Sequence, residues 1–264
     1  MIGTHYFKLK NEMNKHLLLI ALVAMPALSI AAEKDPIAEA NIRKAITSAG
    51  GEKRFKTIKA PTMWMETGTY YGMGQGVPFV AQYATYWPKR WYRQLTEGQF
   101  ALGVAGDEVT LFNGSGAEGQ KLSGPEHEAA LHQTRVASAQ LLYPLIEDEY
   151  KLSTVPGVDV ESKPTIGIKA VHDSGGEIRL YFDKGTFLLT KIEAQVTSQE
   201  RGSKLVKSET FFSNHQSFGG VKLPSKYRVH HDGKLLLESE TTAIKTHATI
   251  DPAWFGTDGP ARVR

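Results

Sequence analysis

From Thr62 onward, apolar and polar residues largely alternate with a period of two, as they do in strands with one buried face. Ahead of that stretch the period is helical. Ile37, Ala40, Ile42, Ala45 and Ile46 recur behind an Asp35-Pro36 start, and Gly50-Gly51 closes the run. A second helical piece is predicted over Glu52–Ile58. The predicted strands are Thr62–Tyr71, Val77–Trp87, Arg90–Thr96, Gln99–Ala105, Glu108–Asn113, Tyr150–Thr154, Thr165–His172, Glu177–Asp183, Leu188–Thr197, Ser203–Ser213, Val221–His231 and Lys234–Thr246. Gly, Asn or Asp marks most joints, and Asp232-Gly233 between two alternating runs is the strongest hairpin signal. One further helix is predicted from Pro125 to Leu142, with Ala129, Ala130, Val136, Ala137, Leu141 and Leu142 apolar and Pro144 stopping it. Such an insertion must lay its apolar face on the sheet, across a face or into an open mouth. The expected fold class is α+β, a large antiparallel sheet with a few helices.

The first residues are a separate matter. Lys15-His16 precede an apolar run through Leu28, followed by Ser29-Ile30-Ala31-Ala32 and the charged Glu33-Lys34-Asp35. A positive flank, a short apolar stretch and a small-residue cleavage site make an export signal. It is read over residues 1–31, cleaved near Ala31, with a single domain over 32–264. The run is shorter than the roughly 20 residues of a spanning helix; the rival reading is a retained N-terminal anchor. Met13 is as good a start as Met1.

Composition narrows the partners. Removing Lys8, Lys10, Lys15 and Glu12 from 31 basic and 28 acidic residues leaves 28 against 27, a net charge of +1 without a long basic block. Nucleic acid is therefore not an expected partner. The chain has no cysteine, which excludes disulfides, thiol catalysis, Cys-ligated zinc and an acylated lipoprotein cysteine. An exported protein held by its core alone fits the periplasm of a Gram-negative bacterium, with full secretion as the alternative.

The catalytic motifs dissolve on inspection. His127-Glu128-Ala129-Ala130-Leu131-His132 looks like a zinc-protease helix, but its histidines are five apart, about 140° around the helix, and face different sides. Gly72-Met73-Gly74-Gln75-Gly76 joins two strands rather than a strand and a helix, so it reads as a hairpin turn and not a phosphate cradle. His230-His231 point to opposite faces of a strand and read as a solvated hairpin end. Asp148, Glu149, Glu193, Glu209, Glu238 and Glu240 read as a solvated strand face. No catalytic residue, metal site or cofactor is assigned, and the protein is read as a non-enzyme.

The feature with weight is aromatic. Trp64, Tyr70, Tyr71, Phe79, Tyr83, Tyr86, Trp87, Trp91 and Tyr92 fall on the first three predicted strands. Phe79, Ala81, Tyr83, Thr85 and Trp87 share one face; Val80, Gln82, Ala84 and Tyr86 share the other. Rings on both faces predict that one face packs the core while the other lines a concavity. The rival reading is an aromatic-rich core with ordinary strand surface. A concavity lined by Trp64, Phe79, Tyr83, Trp87 and Trp91 would suit an acyl chain or other apolar ligand. Arg90 and Arg93 either meet an anionic headgroup at its rim or are solvated.

Three stretches resemble the LolA/LolB superfamily of periplasmic lipoprotein-localisation factors. They are the opening helix leading into Ala49–Lys59, the run Leu180–Glu193, and the segments Glu209–Ser213, Phe218–Pro224, Tyr227–Glu238 and Asp251–Phe255. The pattern is closer to the broad group of outer-membrane lipoprotein-sorting-like proteins than to the carrier itself. Similar modules accompany exported zinc peptidases of the insulinase type. The resemblance implies an incomplete β-barrel whose apolar concavity is covered by helices and accepts acyl chains. No family binding residue maps onto this chain. The resulting expectation is a carrier or binding protein for a lipid or lipoprotein acyl chain, peripheral to the membrane at most. The alternative is a ligand-free interaction or sensor module with a cell-envelope protein partner, or an accessory of an exported peptidase.

Overall fold

Asp35 starts the described chain. Its Oδ1 accepts the backbone N–H groups of Ile37 and Ala38, and Pro36 fills the first helical position of helix α1 (Pro36–Ser48). Its Oδ2 accepts the N–H of Thr154, so the same carboxylate ties the helix to a distant strand. The computed structural model describes residues 35–58, 62–72, 74–86, 90–95, 100–113, 119–146 and 149–246; for Thr57, Ile58, 90–95, Phe100 and Asn113 only the backbone is described. The leader reading and the Asp251–Phe255 motif lie outside these residues.

After α1 come helix α2 (Glu52–Ile58) and strands β1 (Thr62–Tyr70), β2 (Val77–Tyr86), β3 (Arg90–Leu95), β4 (Phe100–Ala105), β5 (Glu108–Asn113) and the two-residue β6 (Gln120–Lys121). Helix α3 (Gly124–Ser138) follows. Then come β7 (Tyr150–Val155), β8 (Asp159–Val160), β9 (Lys163–His172), β10 (Glu177–Asp183), β11 (Leu189–Ser198), β12 (Lys204–Phe218), β13 (Val221–His231) and β14 (Lys234–Thr246). The strands form one antiparallel sheet in the order β6-β5-β4-β3-β2-β1-β14-β13-β12-β11-β10-β9-β7, with β8 paired to β9 off this path. Its two ends do not pair with each other among the described residues, so the barrel is incomplete. The seam between β1 and β14 joins the two halves, from Thr62 opposite Thr246 to Tyr70 opposite Leu237.

The sheet curls, and α3 proves it. His127 bonds the carbonyl of Asp107 in the β4–β5 turn at 2.5 Å, while Gln133 donates to the carbonyl of Thr197 on β11 at 2.6 Å. Six residues of helix span about 9 Å. On a flat sheet, β4 and β11 would lie seven strand spacings apart, about 34 Å. The helix therefore straps the mouth of a concave sheet.

The main core fills that concavity. It combines Ile42, Ala45 and Ile46 of α1, Ile178, Leu180 and Phe182 of β10, Ile192 of β11, and Trp64 and Tyr83 of β1 and β2. Among the described side chains, the opposite face of the first strands carries a small cluster around Ala84, Ala101 and Phe112, and Tyr86 there is exposed. The expected division, with one face for the core and the other for a concavity, is therefore corrected: in a curled sheet they are the same face.

Two boundaries differ most from the sequence reading. The helix after Pro125 ends at Ser138, and Leu142 at φ 61° breaks it into tight turns over Ala139–Leu141 and Tyr143–Ile146. Strand β12 runs five residues past Ser213, because Asn214 takes a left-handed φ of 51° and bridges to Ser225 through its side chain. The polar Asn-His-Gln-Ser run then keeps its ladder to β13.

Candidate functional site

On the inner face, Trp64 lies directly opposite Tyr83 across the β1–β2 ladder. Their ring centroids are 6.0 Å apart with the planes tilted by 39°, and both residues are buried. Phe79 is opposite Gly68, and its ring occupies the space a side chain would take there: a Cβ on Gly68 would come 2.8 Å from Phe79 Cζ. Phe212 and Tyr227, opposite each other on β12 and β13, continue the aromatic wall at 6.4 Å between centroids. The structure thus brings Trp64, Phe79 and Tyr83 together. The ladder sets Arg93 opposite Tyr83 and Trp91 opposite Thr85. Trp87 lies outside the described residues.

One inner-face residue escaped the sequence reading. Glu66 sits between Trp64 and Gly68 on the inward register and is 4% exposed. Its carboxylate accepts the Tyr227 hydroxyl and, at 3.2 Å, that of Ser239. The signal was present, since residues two apart on a strand share a face. A buried carboxylate needs such donors, because desolvation without them costs several kcal/mol. The concavity is therefore apolar with a hydrogen-bonded polar point on its wall.

The strap closes it with polar pegs. His132 Nε2 donates to the Gln195 carbonyl at 2.9 Å, beside the Gln133 bond to Thr197. The histidines of the protease-like motif thus hold opposite rims, as their spacing requires. Burial pushes the His132 imidazole below its ordinary value, whereas the bond to the Asp107 carbonyl raises that of His127. Apolar burial on α3 is slight: only Ala130, Leu131 and Ser138 are buried. Beneath α1 and α2, a cavity of about 10 Å³ remains among Ala45, Ala49, Phe55, Leu142, Leu189 and Leu223, room for roughly one water. The concavity is filled by its own helices.

The outer face of the later strands corrects the expectation of a solvated carboxylate surface. Glu193 and Glu209 are directly opposed on β11 and β12, and their side chains are only 16% and 15% exposed. Lys191 bonds both, at 3.1 and 2.5 Å, and Lys207 bonds both at 3.1 Å. Burial alone would raise the Glu209 carboxyl, but the two ammonium groups outweigh it and hold it below its ordinary value. Lys191 also lies over the rings of Phe211 and Tyr181, at 5.2 and 5.5 Å. His230 and His231 do point to opposite faces, but they are half-buried rather than solvated, and burial lowers His231.

No family model matches the sequence, and no curated protein matches it. Solved structures do match in shape. A LolA superfamily protein from Nitrosomonas europaea is similar at a TM-score of 0.58 and 12% identity, over 84% of this chain and 98% of that one. A domain described as an outer membrane lipoprotein-sorting protein, from Vibrio parahaemolyticus, is similar at 0.53 and 8% identity, over 83% and 96%. A DUF1329 family protein from Desulfovibrio piger is similar at 0.55 and 12% identity, over 83% and 97%. With an open antiparallel sheet curled around its own helices, the chain has the fold of the LolA superfamily structures.

Proposed function

We propose that the protein is a non-enzymatic periplasmic carrier or binding protein for the acyl chain of a lipid or lipoprotein. The observation that carries this reading is the inner aromatic wall of Trp64, Phe79 and Tyr83 in a concavity whose mouth is strapped by a helix held chiefly by polar pegs. Swinging α3 aside withdraws Leu131, Val136 and the small Ala130 and Ala137 from the core, a modest apolar loss for a 15-residue helix. Burying a C16-like chain returns on the order of 10 kcal/mol gross at about 0.8 kcal/mol per CH₂, before ordering costs. The lipoprotein-sorting description of the Vibrio domain supports the same cargo class. No described helix is long and apolar enough to cross a membrane, which fits a peripheral role.

The test is organic extraction and mass spectrometry of protein purified from the periplasm without detergent, together with uptake of a fluorescent fatty acid. A stoichiometric acyl species, or saturable uptake lost in a folded Phe79→Asp variant, is expected. Protein that is clean and takes up no probe overturns the carrier reading and leaves an envelope interaction module with a filled barrel.

A further inference from the structure

The outer face of the sheet bears a second, unrelated cleft. The β8–β9 hairpin turns through Glu161 and Ser162, both with left-handed φ (49° and 65°). Glu161 at its tip is ion-paired to Arg228 on β13. Strands β10, β11 and β12 lie between β9 and β13, about 19 Å within the sheet. The hairpin therefore folds back over the outer face as a small roof, with Val160 buried at its base. Between roof and sheet is a cavity of about 360 Å³, at the lower end of small-molecule sites, lined by Glu161, Glu209, Phe211, Arg228, His230 and Gly233.

Its lining presents three kinds of group within reach of one another. Phe211 and His230 meet edge-to-face, with ring centroids 5.4 Å apart, giving a flat aromatic wall. Arg228 is opposite Phe211 in the ladder, and of its guanidinium donors only one Nη2–H is bonded, to Glu161. Glu209 is opposite His230; both its lysine bonds go to Oε1, and Oε2 has no such partner. His230 Nδ1 is turned away from the cleft into buried surroundings, so the imidazole offers the cleft its ring and not a ring nitrogen at that position. A cation with spare donors, an anion with a spare oxygen and an aromatic wall match a molecule with the opposite charges and an apolar body.

We propose that this cleft binds a small zwitterion of the α-amino acid class, its carboxylate on Arg228, its ammonium on Glu209 and its side chain against Phe211 and His230. The site shares no residue with the concavity and does not depend on the acyl-chain reading. Calorimetric titration with L-phenylalanine tests it, with 3-phenylpropionate and phenethylamine as the two half-molecules. Saturable phenylalanine binding is expected, at least tenfold tighter than either half, and lost in Arg228→Met and in Phe211→Leu. Arg228→Lys, which keeps the charge, should retain part of it, and circular dichroism checks that each variant folds. Absence of binding at millimolar phenylalanine overturns the proposal. So does binding that the half-molecules equal, or that survives both substitutions in folded protein.

Discussion

The inner face of β1 and β2 and the outer face of β10 to β13 both bury aromatic rings, and they do so by opposite means. Inside, Trp64, Phe79 and Tyr83 are packed by the apolar neighbours of the main core. Outside, Tyr181 and Phe211 sit under the ammonium of Lys191, in a lattice of two lysines and two glutamates. The inner surface is a non-directional medium whose shape can be refilled by another apolar body. The outer one is a set of fixed charges that tolerates no missing member. That contrast separates a face suited to exchanging contents from one suited to recognising a single arrangement of charge.

The largest effect expected on the inner side comes from Leu180→Ala, which removes a side chain with no exposed surface from the core. It should lower stability by about 2–5 kcal/mol in urea titration. On the outer side, Lys191→Met should cost about 3 kcal/mol, because it leaves Glu193 and Glu209 directly opposed in a partly desolvated setting. Lys207→Met, at a side chain 42% exposed, should cost less than about 1 kcal/mol although it touches the same two carboxylates. Equal losses from the two lysine variants would show that the lattice behaves as ordinary surface, and the contrast between the faces would fail.

The smallest effect concerns pH. Burial depresses His132, His172, His215 and His231 below their ordinary values. Each therefore binds its proton more readily when unfolded, so its contribution is present above about pH 6.5 and is lost as pH falls toward the folded value. His127 is raised and acts in the opposite sense: its contribution is present below the unfolded value and lost as pH rises through the folded one. Urea midpoints should decline gently from pH 7.5 to 5.5, and His132→Gln should flatten part of that slope. A rising midpoint over this interval would contradict the assigned burial of the four rings.

Much of the sheet was legible because alternation and turn chemistry are local. Asp232-Gly233, with φ of 48° and 75°, is a hairpin turn written in two letters. The inward register of Trp64, Phe79 and Tyr83 follows from the same alternation. What escaped depends on distance. Glu193 and Glu209 look like solvated strand residues until the β11–β12 register sets them opposite each other between Lys191 and Lys207, and a two-residue strand such as β8 has no pattern to read. The curl that makes the core face and the concave face one surface is a property of the whole sheet, not of any segment. The end of helix α3 is hidden for a local reason: Leu141 and Leu142 continue its apolar spacing toward Pro144, although Leu142 itself leaves helical geometry.

The seam between β1 and β14 sets the order of events during synthesis and folding. The first strand of the sheet finds its second neighbour only in the last one, across nearly the whole described chain. Until β14 has emerged, β1 and β13 each keep an unpaired edge, and no strand ladder joins the two halves. Such late, long-range closure makes for slow folding, with a loop-closure entropy that only the finished seam offsets. A polypeptide of this design gains nothing by folding as it is made. Its sheet is completed only once the final described strand arrives.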